Sequence, residues 1–308
     1  MSTFNNKPIL VTGSHRSGTT WVGKIINKSK KIGYINEPLS LWQHPGVLYP
    51  RPKYWFQYIS KENESKYYSG MKNTLSFRYN VNQEIEIIKT LEDILRFIKN
   101  YLFFNYCRYT NKIPLVKDPM AIFSAEWLFN KFNFDVIILI RHPAAFVGSL
   151  KRVGWTHPFS HFLKQTNLID DYLYKYKKQI IECTNNKKNI IDQGILLWNM
   201  IYSTVIKYKN DHPEWIFIKH EDISREPIKY FNYIFNKLDL QYDKNVIKKI
   251  KKYSGNKNEN ETKSVNDIKI NSESNIYGWE KRLNYKEIEK IKNNTYDVWH
   301  HFYNENDW

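Results

Sequence analysis

Residues 8–21 read P-I-L-V-T-G-S-H-R-S-G-T-T-W, and the reading of this stretch decides the fold. Pro8 to Gly13 is a short apolar run bounded by polar residues, the pattern of a buried strand. From Gly18 to Ile26 the period changes, and Trp21, Val22, Ile25 and Ile26 recur at helical spacing. The turn between them holds Gly13 and Gly18. A glycine-containing turn from strand to helix exposes backbone N–H groups and the positive end of the helix to an anion.

Outward from this turn, strand and helix patterns alternate. Lys31 to Asn36 reads as a second strand, and residues 38–60, rich in Pro and Trp, as a long irregular loop. Gln83 to Tyr109 reads as one amphipathic helix, Ile113 to Lys117 as a strand and Ala121 to Lys131 as a helix. Asp135 to Ile140 is the most apolar strand. Helical patterns recur near 160–180 and 190–210, Trp215 to Lys219 is a further strand, and helices follow near 226–237 and 244–252. Ser254 to Ser274 is polar and reads as a mobile loop, and Tyr285 to His301 closes the chain as a helix. Such alternation predicts an α/β fold with a mostly parallel central sheet flanked by helices. We expect residues 1–7 to be a disordered tail and 8–308 to form one domain.

Composition narrows the class. The 308 residues are 42% hydrophobic and 16% aromatic, which excludes a disordered chain. No run approaches the roughly 20 apolar residues of a membrane-spanning helix. The opening M-S-T-F-N-N-K-P lacks the apolar run of a signal peptide. Cys107 and Cys183 cannot build a disulfide framework and have no metal-ligand spacing with histidines. A cytoplasmic protein without a transmembrane anchor is the expectation. The net charge of +16 suggests an anionic partner. Most of the basic residues are Lys, however, and Lys, Asn, Ile and Tyr all have A/T-rich codons, so nucleic acid is not the expected partner.

The spacing of Gly13, four residues, then Gly18, Thr19 and Thr20 is that of a phosphate-binding P-loop with one change. Thr19 stands where nucleotide triphosphatases carry the lysine that reaches the outer phosphates. With a cation placed earlier, at Arg16, the loop suits a shorter 5′ substituent. A second anion motif follows the apolar strand, which ends at Arg141 and runs through H-P-A-A-F-V-G to Ser149. Arg141 at the strand end and Ser149 two turns into the next helix can face one phosphate. Lys151 and Arg152 add positive charge one turn on.

These residues resemble the sulfotransferases, whose donor is 3′-phosphoadenosine 5′-phosphosulfate (PAPS) and whose fold is of the P-loop nucleoside-triphosphatase type. H-R-S-G-T-T-W matches the family's 5′-phosphosulfate loop, P-[RK]-S-G-T-T-[WL], apart from His15 in place of Pro. The resemblance implies nucleotide contacts at His15, Arg16, Ser17, Gly18, Thr19, Thr20 and Trp21, with Arg141 and Ser149 on the 3′-phosphate. Glu37, in I-N-E-P-L, follows the second strand at nearly the distance of the catalytic Glu in tyrosylprotein-type members, and the K-D-P at Lys117 resembles that branch and many bacterial members. Lys117, in L-V-K-D-P, matches a lysine that contacts the sulfuryl group or leaving oxygen. Glu37, Lys117 and Arg16 are therefore the expected catalytic residues, and no metal is implied. Asp118 is expected to cap the helix after it.

Toward the C-terminus, I-K-H-E-D-I-S resembles the family's Y-E-D-L segment, which implies an adenine contact at His220. Y-G-W-E-K-R-L, Tyr277 to Leu283, resembles the segment opening the last helix. The polar stretch Lys263 to Asn275 lies where the family folds a basic loop over the 3′-phosphate, with Lys269 or Ser274 as candidates. Residues 38–80 and 154–190, with Trp42, Trp55 and Trp155, are expected to build the acceptor site. The acceptor is expected to be a carbohydrate or small-molecule hydroxyl, with a lipid-linked hydroxyl or a peptide tyrosine as further options. Two alternatives remain at this level: a P-loop kinase or triphosphatase, and a non-enzymatic basic polyanion-binding protein.

Overall fold

The computed structural model describes residues 7–186, 188–255 and 276–308. Its five strands are β1 (Ile9–Gly13), β2 (Ile32–Asn36), β3 (Ile113–Lys117), β4 (Asp135–Ile140) and β5 (Ile216–Lys219). All pair in parallel, in the order β2-β3-β1-β4-β5. The chain leaves β1 toward the β2 edge and leaves β4 toward the β5 edge. The strand order thus reverses between β1 and β4, and a crevice opens there beyond their carboxyl ends. Gly13 stands in register with Leu139, and Val11 with Lys117, so the ends of β1, β3 and β4 open onto one place.

Side chains alternate across the sheet and feed two cores. Leu10, Ile35, Val116, Val136 and Ile138 belong to the larger one. It takes in the helices Ala125–Phe132, Pro143–Val153 and Ile190–Asp211. Ile9, Val11, Leu115, Ile137 and Leu139 belong to the other, beneath α1 (Thr19–Ile26). With both faces covered, the strands read as near-continuous apolar runs. The mostly parallel, helix-flanked α/β architecture is therefore as the sequence implies.

Three helix expectations are corrected. The helix expected over Gln83 to Tyr109 is two, Val81–Ile85 and Leu91–Tyr109. A capping box divides them: Thr90 Oγ1 accepts from the Asp93 N–H while Asp93 Oδ2 accepts from the Thr90 N–H. The segment expected as a helix over Ala121 to Lys131 begins as a 3₁₀ turn, Pro119–Ser124, and becomes α-helical only from Ala125. The last helix stops at Asn294, and a separate turn covers Tyr296–Trp299. A helix over Glu64–Leu75 lies beyond the loop of residues 38–60, where no helix was expected. Of the expected tail only Lys7 is described, its ammonium 3.7 Å from the Asp135 carboxylate. Residues 263–275, with Lys269 and Ser274, lie outside the described residues.

Candidate active site

The loop from β1 to α1 is built around two glycines in left-handed backbone. Gly13 has φ +144°, and a side chain there would run into the Leu139 carbonyl of the neighbouring strand. Gly18 has φ +90°, with no room for a Cβ, which would lie 2.5 Å from His220 Nδ1. Ser17 N–H donates to the Ser14 carbonyl at 3.2 Å, closing the turn. Ser14 Oγ and the Tyr202 hydroxyl are 2.8 Å apart. Tyr202 in turn accepts from the Arg141 N–H at 2.9 Å, so one buried phenol ties the loop to the end of β4. Thr19 and Thr20 open α1, and Trp21 is buried beside them.

Arg16 is the hub of the cationic side. Its backbone is left-handed, φ +67°, an unusual conformation for a residue other than glycine. Its Nε donates to Ser149 Oγ at 3.1 Å, and its carbonyl accepts from Arg141 Nη1 at 2.9 Å. The structure thus brings Arg16, Arg141 and Ser149 together. Arg141 is buried, its carbonyl held by Trp198 Nε1, and its Nε has no hydrogen-bond partner among the described residues. Burial, with the charges of Arg141, Arg152 and Arg282, pulls the Arg16 guanidinium down to about 10. Burial and the Arg282 charge lower Arg141 as well, against the opposing pull of Glu221. Four of the chain's nine arginines therefore crowd one place, which an anion between them would relieve.

Two members of this cluster were not assigned from sequence. Of the two cations after Ser149, Lys151 pairs outward with Glu287 at 2.7 Å, and it is Arg152 whose charge reaches Arg16. Arg282 arrives from Y-G-W-E-K-R-L, where the rarity of arginine in this chain was the available signal.

Glu37 and Lys117 meet on the other side of the loop. The parallel register sets Asn36 opposite Lys117, and the Glu37 N–H donates to the Lys117 carbonyl at 2.8 Å. Lys117 Nζ donates to Glu37 Oε1 in an ion pair, with Lys117 buried and Glu37 about one-third exposed. Glu37, like Arg16, sits at positive φ, +47°. Such outliers gather where the surroundings over-determine a residue for a task. Asp118 is fully buried and caps the turn after it, accepting from Leu39 N at 2.6 Å and Met120 N at 2.8 Å. Burial, then the Glu37 charge, push its carboxyl up to about 7.

Glu37 opens onto a cavity of about 250 Å³ walled by Trp42, Trp55, Phe56, Trp155 and His15. Trp42 and Trp55 meet edge to face at 4.9 Å. The Arg16 guanidinium lies 5.8 Å from the Trp155 ring, so Trp155 spans from the arginine cluster to the cavity. His15, expected among the nucleotide contacts, lines this cavity, its ring 5.2 Å from Phe146 and 6.0 Å from Phe56. Burial, with the Arg16 charge, holds it down to about 4, hence neutral. His220 begins the helix His220–Arg225, buried against Gly18 and edge to face with Trp21. A larger groove of about 440 Å³, between Tyr58 and Tyr172, shares none of these residues.

Among the described residues no group of three or more His, Cys, Asp or Glu could hold a metal ion. No helix among them is long and apolar enough to cross a membrane. Residues 8–244 match the sequence profile of the sulfotransferase family. No curated protein matches the chain. Among solved structures it is similar to the sulfotransferase domain from the curacin biosynthetic pathway, at 13% identity and TM-score 0.49 over 94% of this chain and 98% of that one. The sulfotransferase domain from the Synechococcus PCC 7002 olefin synthase gives 14% identity and TM-score 0.46 over 96% and 97%. Mouse sulfotransferase SULT7A1, complexed with PAP, gives 13% and 0.45 over 98% and 87%.

Proposed function

Since the chain belongs to the sulfotransferase family, we propose that it moves the sulfuryl group of PAPS to an acceptor hydroxyl, with Glu37 as the base. The observation that carries this reading is the position of the Glu37–Lys117 pair, between the anion loop and an aromatic cavity. A donor on one side and an acceptor on the other would meet at this pair. The residues present suit a nucleotide with two anionic ends. Glycines leave the loop open to an anion, and Arg141 offers a buried, unpartnered Nε beside three further arginines.

In this reading Arg141 and Ser149 hold the 3′-phosphate, with Arg152 and Arg282 adding field. Loop amides from Ser17 to Thr20, with Arg16, hold the sulfuryl oxygens, while Trp21 and His220 back the loop from beneath. The acceptor hydroxyl gives its proton to the Glu37 carboxylate as its oxygen bonds to sulfur. The bond from sulfur to the 5′-phosphate oxygen breaks in line, leaving its electron pair on that oxygen. Lys117 and the loop amides stabilise the charge that gathers there. No metal enters the scheme.

The cavity holds about one ring system, and its aromatic walls suit a carbohydrate or small-molecule acceptor. A peptide tyrosine is the second option. We assign residues 8–308 to one domain and the protein to the reducing cytoplasm, in keeping with the free thiols of Cys107 and Cys183. The kinase alternative is disfavoured because Thr19 replaces the triphosphate-reading lysine. The polyanion-binding alternative calls for a spread basic face rather than four converging arginines. The test is Glu37→Gln, assayed by sulfate-transfer mass spectrometry against an acceptor panel. Turnover should fall roughly 10²- to 10⁴-fold while affinity for the desulfated product, 3′-phosphoadenosine 5′-phosphate (PAP), stays near wild type. Unchanged turnover would place the base elsewhere.

A further inference from the structure

Capping a turn needs one acceptor, and Asn or Ser supplies it without a charge. Asp118 instead places a carboxylate where it is fully buried and close enough to Glu37 to feel its charge. Burial and a like charge both oppose ionisation, so this choice of residue works against the fold. What an ionised carboxylate adds is a second acceptor oxygen. Asp118 uses both: Oδ1 accepts from the Met120 N–H at 2.8 Å, and Oδ2 accepts from the Leu39 N–H at 2.6 Å, across 79 residues of sequence. Protonation, or an amide in its place, would turn a donor toward one of these N–H groups.

The bond to Leu39 matters because of what precedes it. Glu37 stands at φ +47°, a conformation that persists only where its surroundings impose it. Its N–H donates to the Lys117 carbonyl at 2.8 Å, and its carbonyl accepts from the Ser40 N–H at 3.1 Å. Asp118 grips the same turn between these points, at Leu39, and is itself fixed to the sheet by its N–H on the Val11 carbonyl at 3.0 Å. Its two bonds also join two walls of the aromatic cavity. Ser40 and Trp42 follow Leu39, while Pro119 and Met120 begin the turn that Asp118 caps.

With Glu37 as the base, on which this reading rests, we infer that Asp118 is its positioning residue: the ionised carboxylate holds the Glu37 turn in its left-handed form, and the protonated acid releases it. The titratable groups facing Asp118 are Glu37, Lys117 and Tyr34 of β2. Burial, then the Glu37 charge, put the Asp118 carboxyl at about 7. Unfolded it titrates near 3.9. Between these values the folded chain binds the extra proton, so the stability of the fold falls as pH rises through this window. A charge kept at the expense of stability marks a functional position.

Asp118→Asn copies the protonated form at nearly the same size. The probe is PAPS alone, with water as the acceptor. The water oxygen bonds to sulfur, its proton passes to Glu37, and the sulfur–oxygen bond to the 5′-phosphate breaks with its electron pair, giving PAP and sulfate. The wild-type rate should fall about tenfold as pH drops from about 8 to 6. Asp118→Asn should lack this limb and be on the order of 100-fold slower at pH 8, the cost of a displaced base. Its Kd for PAP should stay within about twofold of wild type. Its melting temperature relative to wild type should rise between about pH 5 and 8, whereas a carboxylate that served the fold alone would give the reverse. A variant that hydrolyses PAPS like the wild type, or keeps the limb near pH 7, overturns the proposal while Glu37→Gln remains slow. If Glu37→Gln also matches the wild type, the assignment of the base fails, and this proposal with it.

Discussion

Arg141→Ala should separate the two anionic ends of the donor. In the folded chain the Arg141 guanidinium is 6% exposed and anchored at one nitrogen by the Arg16 carbonyl, and its backbone is held by Tyr202 and Trp198. Little ordering is therefore left for the ligand to impose. Removing one partner of a buried charge pair costs about 2–5 kcal/mol. Arg16, Arg152 and Arg282 remain to share the anion, which places the loss in the lower half of that range, about 3 kcal/mol, or roughly 150-fold in Kd. Arg141→Lys keeps the charge without the fork and should fall between, about tenfold. Calorimetric titration with PAP and with adenosine 5′-phosphate is the assay. Only the first carries the 3′-phosphate, so the second should lose less than about threefold by the same reasoning. Equal losses for both nucleotides would refute the assignment, and no loss for either would remove Arg141 from the site.

Two further outcomes follow from local structure. Gly18→Ala places a Cβ at φ +90° and 2.5 Å from His220 Nδ1. It should destabilise the fold by about 2 kcal/mol, read by thermal melting, with His220→Ala recovering part of the loss; a variant as stable as wild type would contradict the packing. His142 is buried, stacked on Trp279, with neither ring nitrogen hydrogen-bonded among the described residues. Burial, then the Arg141 charge, hold its pKa down to about 3. Unfolded it titrates near 6.5, so the stability it lends is complete above that pH and is lost as pH falls toward 3. His142→Phe should therefore match the wild type at pH 8 and exceed it at pH 5 by up to about 2 kcal/mol. Parallel stability curves for the two proteins would count against a neutral buried imidazole.

The parts of the site that follow from local chemistry were legible in the residues. The strand, glycine turn and helix of residues 8–26 depend on near neighbours, and so does the run from the apolar strand through Arg141 to Ser149. Parts that depend on distant packing were not. That Arg282, rather than any nearer lysine, joins Arg16 depends on how the segment before Tyr285 returns to the sheet. His15 matches the nucleotide loop by position, yet its neighbours Phe56, Phe146 and Trp155 lie 41, 131 and 140 residues away and draw its ring to the aromatic cavity. The break near Thr90 was hidden because apolar periodicity continues on both sides of it, while the capping box interrupts only the backbone.

The position of Lys117 against Glu37 follows from a register that pairs β2 with β3, across 80 residues of sequence. The spacing of each motif shows that it ends a strand, not which strand lies beside it. Parallel order supplies the second fact, and with it the pairing of the Glu37 carboxylate with the Lys117 ammonium. The outward apolar face of Leu91–Tyr109, with Leu91, Leu95 and Leu102 exposed, belongs to the same class: its period is visible in the sequence, but an apolar helical face is expected to point inward.

The most direct test of the central claim is calorimetry of the wild-type chain with PAP and with ATP at one salt concentration. A site built for a short 5′ substituent and a 3′-phosphate should bind PAP at micromolar Kd or tighter, and ATP at least about 30-fold more weakly, a gap of some 2 kcal/mol. ATP bound as tightly as PAP, or more tightly, would contradict the account.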